Sequence, residues 1–537
     1  MIALVGRCGL ERLAAALRAL GETVAVLPDA APAVLAALQP ELVYHDVLDG
    51  VLMGPIFAAA LVGRDPGPLL DAAAPWIDAQ LAATAAWPRL LRGPRRPPFG
   101  AFGLGAPIPP ALGRVLEAAS AWTAGQRCLD LQGLWARHGI VEDGVLHTLG
   151  HGEAELGPRG CSRLSGEPAA VVEARALRAL LLGQRGRAVK ALAVDLDDTL
   201  IYGELADPGF ADRNPAWCPE GEAPRGEDER AFWMAPRGLH EALRVAQARG
   251  LLLVLVTRND EALVRRAFRR RPPSAAPCSG WLQDLLLDCT DFLWIEANFG
   301  PKSESIRRAA AALGLGLDAF AFFDNSPLER AEVAANAEGV RVMDVPVDAF
   351  RELLISGEGL VPGESAAAGL RAASTAARLE VTAAAAAGEA ALLRFLSGLE
   401  LRMVLRPALP GDRPRLEELL LRSHQLRLTG EGALPPDLRE VWVWSLRDRL
   451  ADHGLVGLGW FTGAGADLRL VELAMSCRVL PHRVAASALA ALRALRPSAA
   501  VRWIDTGRNA ASAGLIAEAA EGVAGHLRLV VEGEGAP

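Results

Sequence analysis

The chain reads as an α/β protein of three domains with a parallel, doubly wound sheet at its centre. Three observations predict this. Apolar runs at Ala191–Val194, at 251–256 and at Phe320–Phe323 each end in a residue that can carry chemistry, namely Asp195, Thr257 and Asp324. Runs apolar throughout are what strands buried on both faces require. Helical segments separate them, which is the pattern of a sheet with its chemistry at the strand C-termini. Ahead of this core, a strand at Ile2–Val5, a turn at Gly6, a helix over 10–20 and strands over 23–27 and 41–44 open another α/β region. Beyond it, strands over 401–405, 456–461 and 468–475 lead to a helix over 484–495, an α+β pattern.

The first core run ends in Asp195-Leu196-Asp197-Asp198-Thr199. Residues two apart on a strand point the same way, so Asp195 and Asp197 share one rim. Paired carboxylates can hold Mg²⁺, attack phosphorus and pass a proton. The plain alternative for these five residues is a helix N-terminus capped by Asp198 and Thr199. Further on come Gly300-Pro301-Lys302-Ser303-Glu304 and Asp324-Asn325-Ser326-Pro327-Leu328-Glu329-Arg330. D-x-D-x-T, Thr257, Lys302 and Asp324, in this order, resemble the motifs of the haloacid dehalogenase (HAD) phosphotransferases. The resemblance implies a HAD-type, Rossmann-like parallel sheet over 187–362. It makes Asp195 the phosphoryl acceptor and Asp197 the general acid, then base. Thr257 would bond the phosphoryl oxygens, and Lys302 would neutralise charge between the aspartyl-phosphate and its leaving group. Asp195, Asp197 and Asp324 would hold Mg²⁺. Thr199, Arg258, Asn259 and Asn325 adjoin these motifs and are the expected substrate contacts.

The wording VTRND, FGPKSESI, GLGLDAFAFFDNSPLERAEV and, far downstream, MSCRVL is similar to the FkbH-like family. That resemblance implies an enzyme of polyketide biosynthesis. Such an enzyme takes 1,3-bisphosphoglycerate, removes its phosphates and holds the glyceryl group as a thioester. It then passes that group to the phosphopantetheine thiol of an acyl carrier protein. The chain departs from the pattern at Asn325, where many relatives have a second Asp. It departs again at Val256, where some place a Cys. Between the first two motifs lies an insert, 207–236, with Trp217, Cys218, Phe232, Trp233 and Arg213, Arg225 and Arg230. Long segments near an active site act as lids, so this one is expected to cap the cleft.

The outer regions resemble other modules. Residues 1–186 are similar to an SGNH-hydrolase-like domain. Its nucleophile turn is here Gly6-Arg7-Cys8, with His147 and His151 as unconvincing partners, so a degenerate scaffold is expected. The stretch at 89–98 reads as a Pro-rich surface loop. An Ala-rich linker, 363–398, is expected to hold one helix over 366–396. Residues 399–537 resemble a GNAT-like acyltransferase, with a helix over Ser423-His424-Gln425 that ends at Leu428-Thr429. Arg478-Val479-Leu480-Pro481-His482-Arg483 stands where such a fold has its pantetheine-binding loop. Pro481 and Arg483 fill both glycine positions of that loop. Arg478 is an expected contact to the pantetheine arm. Cys477, at the expected start of a helix, is the leading acyl-carrying thiol, because such a position favours the thiolate. A buried strand-end Cys477 is the alternative, with Cys218 as a substitute carrier.

The 537 residues suit about three domains, and a 51% hydrophobic content supports large cores. A net charge of −8 argues against general nucleic-acid affinity, and Arg265, Arg266, Arg269, Arg270 and Arg271 read as a solvated helix end. Seven Cys without paired C-x-x-C spacing read as thiols in a reducing, cytoplasmic setting. The first 20 residues carry charges within their apolar stretch, so neither a signal peptide nor a membrane span is expected. Two functions compete. One is a Mg²⁺-dependent phosphatase and glyceryl transferase. The other is a HAD phosphatase for a different metabolite, whose outer domains dock a carrier protein or a complex.

Overall fold

The computed structural model describes residues 1–7, 10–93, 110–140, 167–185, 188–210, 214, 216–217, 236–270, 285–356, 370–423, 425–430, 433–507 and 509–532. Cys8, Cys218, His147, His151, His424, Arg508 and, within the insert, Arg213, Arg225, Arg230, Phe232 and Trp233 lie outside them. The chain divides into two compact units. One is Met1–Leu181 with Ser356–Gly359, and the other is Leu182–Ile355 with Leu360–Pro537. Among the described residues no helix is long and apolar enough to cross a membrane.

The first unit holds a five-stranded parallel sheet. Its strands are β1 (Ile2–Val5), β2 (Val24–Leu27), β3 (Leu42–His45), β4 (Arg89–Arg92) and β5 (Cys128–Leu129), in the order β2-β1-β3-β4-β5. The expected surface loop at 89–98 is therefore wrong at its start. Arg92 lies inside, 2% exposed, and is neutralised by Asp46 at 2.9 Å and Glu173 at 2.8 Å. Tyr44 Oη donates to the same Glu173 at 2.7 Å. A buried charge persists only when paired in this way.

In the second unit, β6 (Ala191–Val194), β7 (Leu252–Thr257), β8 (Trp294–Ala297), β9 (Phe320–Phe323) and β10 (Arg341–Val342) form a second parallel sheet, ordered β10-β9-β6-β7-β8. Alternate residues serve its two faces, as the two-residue repeat demands. Leu192, Val194, Leu253, Leu255 and Phe323 pack toward Leu243, Phe268 and Phe350. Ala193, Val254, Val256 and Phe322 pack toward Ile306, Leu313 and Val333. The helices Arg237–Ala248, Lys302–Leu313, Pro327–Asn336 and Val347–Ser356 supply those partners, with Phe268 just past the helix Glu261–Ala267.

Trp217 was expected over the cleft mouth and is instead core. It is 1% exposed, donates its indole N–H to Leu287 O at 2.9 Å and packs at 5.6 Å from the His240 ring and 5.7 Å from Phe268. Trp217→Ala is thus expected to cost about 3–5 kcal/mol in chemical denaturation. KM for a small phosphate ester should stay unchanged in that variant.

The same unit carries a six-stranded mixed sheet. Its strands are β11 (Leu401–Pro407), β12 (Val441–Arg447), β13 (Asp452–Thr462), β14 (Arg469–Met475), β15 (Ala500–Val501) and β16 (Leu527–Val531), in the order β15-β14-β13-β12-β11-β16. The four central strands are antiparallel, and the edge strands pair in parallel. The expected single linker helix is two, Arg371–Ala386 and Glu389–Ser397, broken at Gly388 with φ 106°. Only glycine adopts that backbone without strain. Val381 of the first helix packs into the core of the mixed sheet, and Leu379 packs against the parallel one. Leu428 and Thr429 do not end a helix, because the helix stops at Arg413–Arg422. Their N–H groups donate instead to the buried Glu472 carboxylate, at 2.7 and 3.2 Å.

Candidate active site

The register of the parallel sheet gathers the chemistry. Val194 pairs with Phe323 on one side and Leu255 on the other, so Asp195, Asp324 and the end of β7 emerge on one rim. Asp195 N donates to Phe323 O at 2.9 Å, which fixes the first carboxylate beside the second strand. The chain then turns sharply. Asp198 takes φ 49° and accepts from Gly203 N at 2.7 Å. Asp is among the few side chains that tolerate the left-handed region, and such strain gathers at functional sites.

Lys302 is the centre of the arrangement. It is the first residue of the helix Lys302–Leu313, 3% exposed, and its Nζ lies 2.6 Å from Asp195 Oδ1 and 2.6 Å from Asp324 Oδ2. A cation at a helix N-terminus opposes the helix dipole, so the two carboxylates must compensate it. Asp324 is held in turn by Ser326 N at 2.8 Å. Arg330 Nη1 donates to the carbonyls of Asp324 and Asn325 at 2.8 and 3.0 Å. Burial pushes Asp195 up to about 7; Lys302 opposes this and Asp324 reinforces it. Burial alone would pull Lys302 down, but the two carboxylates hold it above its ordinary value.

Asp197 points elsewhere. Its Oδ1 accepts from Leu205 N and its Oδ2 from Asn259 Nδ2, both at 2.8 Å. Burial raises its pKa despite these bonds. Asn259 also donates to Thr257 Oγ1 at 2.8 Å, so the Thr257 hydroxyl keeps its own proton to donate. Arg258 bridges the cleft to Glu329 at 2.9 Å. Thr199 is 2% exposed, its hydroxyl makes no hydrogen bond, and it does not line the cleft. Asn325 does line it.

The cleft has a volume of about 480 Å³. Seven carboxylates line it (Asp195, Asp197, Asp198, Glu204, Asp260, Asp324 and Glu329) against two cations, Arg258 and Lys302. A phosphate entering such a cleft would be repelled unless a further cation offset the charge. The all-oxygen donor set suits Mg²⁺, with Asp195 and Asp324 as the carboxylates that converge. Asp195, Asp197 and Asp324 do not bring three side-chain oxygens within 4.8 Å of one another. Glu204, Phe299, Glu329 and Arg330 were not singled out from sequence. Glu329 and Arg330 stand in the quoted DNSPLER motif, but their partners are tertiary.

Cys477 and Arg478 lie at the other end of this sheet. With Lys190, Leu252, Arg371, Arg378 and Arg415 they line a separate cavity of about 60 Å³. Lys190 and Leu252 mark where β6 and β7 begin, whereas Asp195 marks where β6 ends. The five-residue rise from Lys190 to Asp195 is about 16 Å, so the thiol and the Asp195 cleft are apart. Cys477 opens a 3₁₀ helix, Cys477–His482, and not the long helix, which is Ala485–Leu495. Pro481 falls inside that turn and, having no N–H to donate, breaks the run. Arg478 Nη1 and Arg378 Nε are buried without hydrogen-bond partners. Burial, then Arg415 and Arg371, pull Arg478 down to about 9.

No family model matches the chain, and no curated protein matches it. Among solved structures, it is similar to the N-terminal part of protein BF1531 from Bacteroides fragilis, containing a phosphatase domain and complexed with Mg. The likeness has a TM-score of 0.48 and 15% identity, and covers 68% of this chain and 94% of that one. A probable YrbI family phosphatase from Pseudomonas syringae is also similar, with a TM-score of 0.18 and 16% identity, covering 33% of this chain and 91% of that one. The assignment of the cleft rests on its own side chains.

Proposed function

We propose that the chain is a Mg²⁺-dependent phosphatase of the HAD type. The observation that carries this reading is Lys302 Nζ at 2.6 Å from both Asp195 and Asp324 on one strand-end rim. Asp195 attacks the phosphorus and forms an aspartyl-phosphate while the ester oxygen leaves. Asp197, oriented by Leu205 N and Asn259, gives the leaving oxygen a proton and then takes one from the attacking water. Thr257 and Lys302 donate to the phosphoryl oxygens. Mg²⁺ on Asp195 and Asp324 would offset charge on the phosphoryl group. Phosphate release from a phosphate ester that requires Mg²⁺ and stops with a chelator supports this. Equal rates in excess chelator contradict it.

The finer reading is that the substrate is a phosphorylated three-carbon acyl donor such as 1,3-bisphosphoglycerate. Cys477 would displace its acyl phosphate, and the glyceryl thioester would pass to a carrier protein. The cations around Cys477 support this, since Arg378 and Arg478 offer unpartnered donors to a leaving phosphate. On this reading the two sites stand apart, so ester hydrolysis and thioester formation would be independent steps. Cys477→Ser should therefore keep Mg²⁺-dependent phosphate release and lose acyl transfer, while Asp195→Asn should do the reverse. Intact-mass analysis of chain and carrier protein after incubation with the donor reads both. A chain that hydrolyses the ester but never gains a glyceryl adduct would leave the alternative, a phosphatase for another metabolite with docking surfaces around it.

A further inference from the structure

A second cluster of ionisable side chains lies within the mixed-sheet region. Asp448 follows β12, His453 is the second residue of β13, and His482 ends the 3₁₀ turn that begins at Cys477. All three side chains are fully buried. Among the described residues, this is the only group of three or more His, Cys, Asp or Glu whose ligand atoms all lie within 4.8 Å of one another.

The three ligand atoms are close enough to share one ion. His453 Nε2 stands 2.9 Å from Asp448 Oδ2, and His482 Nε2 stands 3.3 Å from the same oxygen. The rings meet edge-on, with centroids 4.9 Å apart. A tetrahedral ion with bonds of about 2.0–2.1 Å separates its ligand atoms by about 3.3 Å. As a network the cluster is crowded, because both imidazoles turn Nε2 toward the single Asp448 Oδ2.

The surroundings orient the three groups. Asp448 Oδ1 accepts from Leu450 N and Ala451 N, both at 2.7 Å, which turns Oδ2 toward the two imidazoles. His453 Nδ1 lies 2.7 Å from Ser374 Oγ. With Nε2 on an ion, Nδ1–H donates to that hydroxyl, the usual outer contact of a ligating imidazole.

We propose that Asp448, His453 and His482 hold one divalent transition-metal ion, Zn²⁺ by ligand chemistry. Two imidazoles and a carboxylate suit zinc and leave its fourth position to a small exogenous ligand such as water. The ion would tie the turn between β12 and β13 to the 3₁₀ turn that carries Cys477 and Arg478. It would leave the Asp195 cleft untouched, and the proposal is independent of the phosphatase reading.

The test uses the full chain, stripped with a chelator and desalted. It should take up one equivalent of Zn²⁺ in competition with a chromophoric chelator, and its Tm should rise. Co²⁺ in its place should give the visible bands of a tetrahedral ion. The paired Asp195→Asn and Asp324→Asn variant should keep that equivalent, which separates this site from the acidic cleft. His482→Gln should lose it, and Ser374→Ala should bind about 10–100-fold more weakly. The proposal is overturned if the wild-type chain binds no Zn²⁺, if His482→Gln binds it as tightly, or if binding vanishes with the Asp195 and Asp324 pair. Should His482→Gln not fold, the wild-type Co²⁺ spectrum decides, and octahedral bands or none overturn the proposal.

Discussion

Asp195→Asn is expected to reduce phosphate release by about a thousandfold or more, equivalent to about 4 kcal/mol in the barrier. The amide keeps the shape of the carboxylate and can still face Lys302 through its carbonyl oxygen. It cannot act as a nucleophile toward phosphorus. Lys302 keeps its second partner, Asp324, at 2.6 Å, so the rim stays assembled. The measurement is phosphate release from a simple ester with Mg²⁺, beside a thermal melt. A folded Asp195→Asn variant that turns over at the normal rate removes Asp195 from the chemistry.

Lys302→Met should be both inactive and unstable. Its ammonium is 3% exposed and lies between two buried carboxylates. Removing one partner of a buried ionic cluster costs about 3–5 kcal/mol, because the remaining charges stay buried and uncompensated. Here the two remaining groups are like-charged, which deepens the loss. A divalent cation offers the same compensation, so Mg²⁺ should restore much of the lost Tm in Lys302→Met and little of its activity. Denaturant titrations with and without Mg²⁺ read this. A variant as stable as the parent without Mg²⁺ would show that the carboxylates do not depend on Lys302.

How far the sequence carried depended on whether a signal was local. Asp195, Thr257 and Asp324 were legible because each ends a run apolar on both faces, and such runs fit parallel strands. Lys302 was legible through its Gly-Pro-Lys setting and a family likeness. β8 was not, since Trp294, Ile295 and Ala297 are only partly buried and Glu296 interrupts them. β4 was missed because Arg-Leu-Leu-Arg before a Pro-rich stretch looks solvated. Arg92 is tolerated inside only because Glu173, 81 positions away, meets it. The Trp217 side chain looked like a lid because the residues that enclose it, His240, Phe268 and Leu287, come later in the chain. The Cys477 position failed on secondary structure, because Pro481 makes a 3₁₀ turn where a helix start was expected. Asp448, His453 and His482 carry no spacing signature, and only the fold brings them together.

The account centres on Asp195 as the residue that takes the phosphoryl group. Acid quenching of the chain during turnover of a phosphate ester, then borohydride reduction and peptide mass mapping, tests this directly. Reduction of an aspartyl-phosphate leaves homoserine in place of the aspartate. The account predicts homoserine at position 195, formed only with Mg²⁺ and absent from Asp195→Asn. Homoserine at another aspartate, or none at all while phosphate is being released, would contradict it.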